Sequence, residues 1–221
     1  MTGFAQFWNI YEDAFPQEER RDPDDYKTDL LKDPYYRFVP FFDGGNMIGF
    51  VSLWDLDAFL FIEHFAVHRK LRGNGYGTRI LRRLLGNGRD ACDACDTRDA
   101  RGACDAASHG GLSSSSRLVA GSKALAGFGP SSVPSPRPKI VLEVEPPEGS
   151  LAKKRIRFYK RMGFHLNGYH YVQPPYRRGE HPVPLKLMSY PKPIHPNQIK
   201  TVTKRIYRHV YRLQKAGPEI R

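Results

Sequence analysis

Apolar and polar positions fall into blocks along this chain, and the period of each block predicts an element. From Thr2 to Ala14 the apolar residues Phe4, Phe7, Trp8 and Tyr11 share one face of a helix, which Phe15-Pro16 ends. A second helix is expected from near Pro23 to Leu31. Tyr36 to Phe42 and Met47 to Leu53, joined by Asp43-Gly44-Gly45-Asn46, read as a hairpin, with Phe59 to Val67 as the next strand. Gly75 to Leu85 follows at helical spacing, Lys139 to Glu145 is a β-branched run typical of a strand buried on both faces, and Ser150 to Met162 is helical again. In the tail, Ile199, Val202, Ile206, Val210 and Leu213 recur near helical spacing between Asn197 and Lys215. The pattern is mixed α/β, with helices packed against a sheet.

Residues 86–138 break this pattern. Of 27 aromatic residues in the chain only Phe128 falls among these 53, and the segment has no Ile. Its Asp/Ala/Cys run and Ser113-Ser114-Ser115-Ser116 are of low complexity and cannot build a core, so the segment reads as a disordered insertion. All three cysteines lie in it, leaving the rest of the chain without a disulfide framework. A zinc site from Cys92, Cys95, Cys104 and His109 is the sharper alternative, but the flanks lack the apolar residues of a zinc module and the spacing matches none of the usual ones; no metal is expected.

Length and charge add to the picture. At 221 residues the chain suits one domain plus extras: residues 1–190 with the insertion at 86–138, then a basic extension with a helix at 191–221. No apolar run approaches a membrane span and the start has no basic-then-apolar leader pattern, so a cytoplasmic protein without a membrane partner is expected. The tail from Tyr190 carries eight cations against Glu219 alone, more than half of the +12 net charge. Its helix is expected to close the domain with a solvated basic face; contact with nucleic acid is the alternative. That alternative, RNA or another polyanion bound by an inactive scaffold, requires aromatics such as Tyr207 and Tyr211 exposed among the cations.

The chemistry concentrates in Phe65 to Leu81, an apolar strand running into a glycine-punctuated turn and then a helix. Gly73, Gly75 and Gly77 let the backbone approach a ligand closely, and the helix start adds partial positive charge, so the ligand is anionic. A dinucleotide fingerprint fails because position 78 is Thr, and a nucleotide P-loop fails because no Gly-Lys pair occurs. What remains is Arg72-Gly73-Asn74-Gly75-Tyr76-Gly77, an Arg-x-x-Gly-x-Gly pattern after Ala66-Val67. It resembles the pyrophosphate-binding turn of the GNAT N-acetyltransferase superfamily. Phe158-Tyr159-Lys160-Arg161-Met162-Gly163-Phe164 resembles the same family's Phe-Tyr-x-x-x-Gly-Phe signature, in which Gly ends a helix and Phe starts a strand. At lower specificity the resemblance extends to the N-terminal helix and to Tyr171-Val172-Gln173-Pro174-Pro175-Tyr176. One departure is Ala152, where many members carry an Asn seven residues before the Tyr.

This resemblance implies an acyl-coenzyme A N-acyltransferase fold, with a mostly antiparallel central sheet splayed at the cofactor site. It implies acetyl-coenzyme A as cosubstrate, held by Phe65, Ala66, Val67, Arg72, Gly73, Asn74, Gly75, Tyr76, Gly77 and Thr78, and direct transfer to an amine of a small molecule or protein. The backbone of Phe65 to Val67 would face the acetyl carbonyl, and Tyr159 would reach the sulfur as general acid. The first connecting region is rich in carboxylates, Glu12-Asp13, Glu18-Glu19, Asp22 and Asp24-Asp25, and the loop after the first helix would border the acceptor, so a cation would be welcome there. Two carboxylates compete as general base. Glu143 interrupts an apolar strand, where a carboxylate is either desolvated or structurally paired, and Glu63 stands where some relatives carry an acid that works through water. His64 and His68 read as ordinary surface or strand histidines.

Overall fold

The computed structural model describes residues 3–28, 30–86, 119–120, 139–177 and 179–213. The insertion, with its cysteines and the zinc alternative, lies outside the described residues except for Gly86 and two residues of strand.

Helix α1 (Gly3–Ala14) leads through a 3-10 turn to the short α2 (Pro23–Thr28). The second helix stops short of Leu31. The chain tightens instead into a 3-10 turn at Leu30–Lys32, and Asp33, which precedes Pro34, disfavours further helix. Strands β1 (Tyr36–Asp43) and β2 (Asn46–Asp55) form the expected hairpin, and β3 (Leu60–Val67) pairs with β2. Helix α3 (Tyr76–Leu84) follows the glycine turn, and β4 (Val119–Ala120) adds a short antiparallel rung to the β1 edge, where composition predicts no structure. The second half supplies β5 (Ile140–Val144), α4 (Ser150–Arg161), β6 (His165–Leu166), β7 (Tyr171–Gln173), β8 (Val183–Tyr190) and α5 (Ile199–His209).

The strands form one mostly antiparallel sheet in the order β4-β1-β2-β3-β5-β8-β6, with β7 paired to β8. Among the described strands only β3 and β5 run parallel, and they pair over three positions, Leu60 with Ile140, Phe61 with Val141 and Ile62 with Leu142. Beyond these the two strands part.

Two apolar clusters sandwich the sheet. One joins Phe7, Ile10 and Tyr11 of α1 to Ile199, Ile206 and Tyr207 of α5 across Phe50, Trp54 and Phe61. The other joins Ile80, Leu81 and Leu84 of α3 to Ile156 and Tyr159 of α4 across Val51, Ile62 and Leu142. The tail helix is therefore part of the core, not an appendage. Tyr207 and Tyr211 are 4% and 9% exposed, so they offer no stacking platform among the cations. This corrects the expectation on which the nucleic-acid alternative rested.

Candidate active site

The parting of β3 and β5 opens a cavity of about 800 Å³, lined by Ile62 to Val67 on one side and Leu142 to Glu145 on the other. A bulge starts the parting. Ser52 pairs with His64 and Leu53 with Ile62, which leaves Glu63 as the extra residue on β3. A bulge re-aims side chains that strict alternation would send to opposite faces. Here consecutive residues Glu63 and His64 both have buried side chains and both line the cavity.

At one end lies the glycine turn. Gly73 and Gly75 have φ of +85° and +78°, a region costly for residues with a Cβ, and Gly75 caps α3. The first amides of α3 have no partner within the helix, so Gly77 and Thr78 present donors there. A Cβ on Gly77 would make only ordinary contacts, the nearest 3.6 Å away on Phe158, so Gly77 is not sterically demanded. Among the expected cofactor residues, Phe65, Ala66, Val67, Arg72, Gly73, Gly75, Gly77 and Thr78 line the cavity. Asn74 and Tyr76 do not; the Tyr76 hydroxyl reaches Asp43 at 3.5 Å. Arg72 is already engaged, donating to the Val67 carbonyl at 2.9 Å and to Asp13 at 2.7 Å, which locks the turn to the end of α1. Helix α4 adds Lys154, Arg155 and Arg161 to the lining.

Carboxylates gather on the strands. Glu63 accepts from Arg21 at 2.6 Å, Trp54 at 2.8 Å and Tyr176 at 2.9 Å, which occupies both its oxygens. Burial alone would raise its pKa, but the Arg21 guanidinium and these donors hold it below the ordinary range. Arg21 also donates to the Val210 carbonyl at 2.7 Å and lies over the Tyr176 ring, 4.5 Å from its centroid. Glu143 is different: it accepts from Tyr171 and from Tyr211, whose hydroxyl lies 3.1 and 2.9 Å from its two oxygens. No cation pairs with it among the described contacts, and burial pushes its carboxyl up to about 8 against those donors. Glu19 is pushed up to about 7 by burial and by Glu145, which is itself paired with Arg155.

His64 is a strand histidine, as read, but its surroundings are not ordinary. Its Nε2 faces the Glu19 carbonyl at 3.0 Å, which can only accept, so Nε2 carries the proton and Nδ1 is left facing Ser52 at 3.4 Å. Burial keeps the ring neutral. His68 does local work, accepting from the Lys70 amide at 3.3 Å. Tyr159 lines the cavity, and burial raises its hydroxyl to about 12, so it stays protonated in water. Gln173 also lines the cavity, with its buried Nε2 lacking a protein partner.

Sequence reading brings Glu63, Glu143 and Tyr159 to one cavity but misses Arg21, Trp54, Tyr171, Tyr176 and Tyr211. Arg21 sits in an acidic, polar stretch that marks no buried partner; Tyr171 and Tyr176 enter the sequence reading only within the stretch that resembles the family, and Tyr211 only as an aromatic exposed among cations.

The acetyltransferase (GNAT) family model matches residues 4–106. No curated protein matches the sequence significantly. Among solved structures, a putative acetyltransferase from the GNAT family of Bacteroides thetaiotaomicron is 26% identical with a TM-score of 0.67, covering 96% of this chain and 93% of that one. The ribosomal-protein-S18-alanine N-acetyltransferase of Escherichia coli is 13% identical with a TM-score of 0.48, covering 90% and 94%.

Proposed function

With the matched family model and the shared fold supporting a GNAT-superfamily acetyltransferase, we propose that this chain moves the acetyl group of acetyl-coenzyme A to the amine of a cationic acceptor. One observation carries the reading. The cavity between the parted strands is lined by two sets of groups: the start of α3 with the α4 cations Lys154, Arg155 and Arg161, and the carboxylates Glu63, Glu143 and Glu145 on or beside the strands. The first suits a pyrophosphate-bearing cosubstrate and the second a positively charged amine.

In this reading Glu143, the carboxylate without a cation, takes the proton from the attacking ammonium, and the freed amine forms the new C–N bond at the thioester carbonyl. Amides of the unpaired stretch of β3 stabilise the developing oxyanion. As the C–S bond breaks, the departing sulfur takes the proton of Tyr159, and the resulting phenolate takes the second proton from the newly acylated nitrogen, leaving a neutral amide and a free thiol. Glu63, held by Arg21, is an anchor that fixes the acceptor wall and is not the base. No step calls for a metal.

The test is a panel of mono- and polyamines and of protein N-terminal peptides with acetyl-coenzyme A, read by release of free thiol. Turnover on cationic amines is expected, with kcat/KM rising with pH toward a plateau above about 8. Glu143→Gln and Tyr159→Phe should each lose roughly 10²- to 10⁴-fold while still binding coenzyme A. Binding of coenzyme A with no thiol release across the panel would sink the enzymatic reading.

A further inference from the structure

We propose that Tyr211, on the segment following α5, is a positioning residue for the base: together with Tyr171 it holds the Glu143 carboxyl in one orientation, so that the tail of the fold completes the reaction centre. The inference rests on Glu143 being the base. Its support is geometric. The Tyr211 hydroxyl lies within hydrogen-bond distance of both Glu143 oxygens, and Tyr171 donates to Oε1 from β7, so the carboxylate is gripped from two separate elements.

The segment that brings Tyr211 there is itself fastened. The amide of Tyr211 bonds back to the Ile206 carbonyl at 3.4 Å and that of Leu213 to Tyr207 at 3.0 Å, which closes the helix end. The Arg21 guanidinium reaches across from the loop after α1 to the Val210 carbonyl, with Glu63 as its other partner. The Tyr211 ring packs on Tyr176, centroids 5.2 Å apart, and Tyr176 donates to Glu63. One network thus ties the tail to both carboxylates. A helix end that served only to cover the sheet would need the ring of Tyr211 but not its hydroxyl.

The groups facing Glu143 are Glu63 from β3, Glu19 from the loop after α1, Tyr171 and Tyr176 from β7 and beyond it, and Tyr207 and Tyr211 from the tail. Burial and the two carboxylates drive Glu143 toward its neutral form. Both clamping phenols oppose this, because a donor favours the ionised acceptor. Burial raises both phenols well above their ordinary range, so they remain donors wherever the carboxyl titrates.

The test uses the full chain labelled with carbon-13 at the glutamate carboxyls, without acetyl-coenzyme A, and follows the Glu143 signal against pH; Glu143→Gln identifies that signal. Tyr211→Phe keeps the ring and removes the donor, and the Glu143 midpoint should rise by roughly one pH unit. Tyr171→Phe should move it the same way, and it serves as the reading if Tyr211→Phe melts without cooperativity. A midpoint unchanged in a folded variant overturns the clamp but leaves the base assignment standing. Undiminished acetylation by Glu143→Gln would instead remove the base assignment while leaving the titration result as it is.

Discussion

Glu63 and Glu143 line one cavity, and their neighbours drive them in opposite directions. Glu63 meets a guanidinium and stays ionised; Glu143 accepts from phenols, with no cation among the described contacts, and burial pushes it up to about 8. Under the proposed function, such divergence sets an anchoring charge apart from a proton acceptor. It also makes stability depend on pH. A carboxyl with an ordinary value near 4.5 that titrates near 8 when folded contributes stability that is complete below the lower value and lost as pH rises through the upper one. Glu19, raised to about 7, acts in the same direction. Urea denaturation at roughly pH 6 and pH 9 should therefore show a less stable chain at the higher pH, with part of that difference absent in Glu143→Gln. Equal pH dependence in parent and variant would contradict a buried, cation-free Glu143. At this scale the sequence is half legible: an acid inside an apolar strand announces a desolvated carboxyl, but its partners come from positions 28 and 68 residues away. Nothing local to Tyr171 or Tyr211 marks them as partners of Glu143.

Elements are far more legible than partners, because each depends on a local period. The N-terminal helix, the hairpin, β3, β5 and α4 stand within a few residues of where their patterns predict. The bulge at Glu63 could not be read, since an extra residue in a strand looks like any other residue until its partner strand is known. The glycine turn is the best-read element of the site. Its two glycines at positive φ leave open space where a Cβ would stand, so the constraint there is backbone conformation together with room for a ligand. Gly75→Val places a β-branched residue at φ +78° on the helix cap, in the region where phosphates would approach. Calorimetry should show coenzyme A binding at least about tenfold weaker in this variant, a loss of roughly 1.4 kcal/mol or more. Parent-like binding would show that the turn is not the phosphate cradle.

For the whole molecule, the fold class is legible and the role of the tail is only half so. The apolar stripe of α5 predicts packing, and it packs, but its placement over the sheet beside α1 follows from the order of the strands, which no period reveals. The sheet itself has a weak seam. Its two halves, β4-β1-β2-β3 and β5-β8-β6, are joined along the backbone by three residue pairs, after which facing strand edges run apart with peptide groups unpaired across the gap. An unpaired edge inside a domain is a missing rung, and an extended ligand with amides of its own can supply it. A ligand that binds only the closed arrangement stabilises it by mass action, by about 2.7 kcal/mol at a hundredfold excess over Kd. Saturating coenzyme A should thus raise the melting temperature and slow amide hydrogen exchange on both sides of the gap, at Glu63 to Val67 and at Glu143 and Val144, more than in the β1–β2 hairpin. The seam would then behave as a zipper: with the site empty the two half-sheets breathe against each other, and the cosubstrate joins them into one continuous sheet.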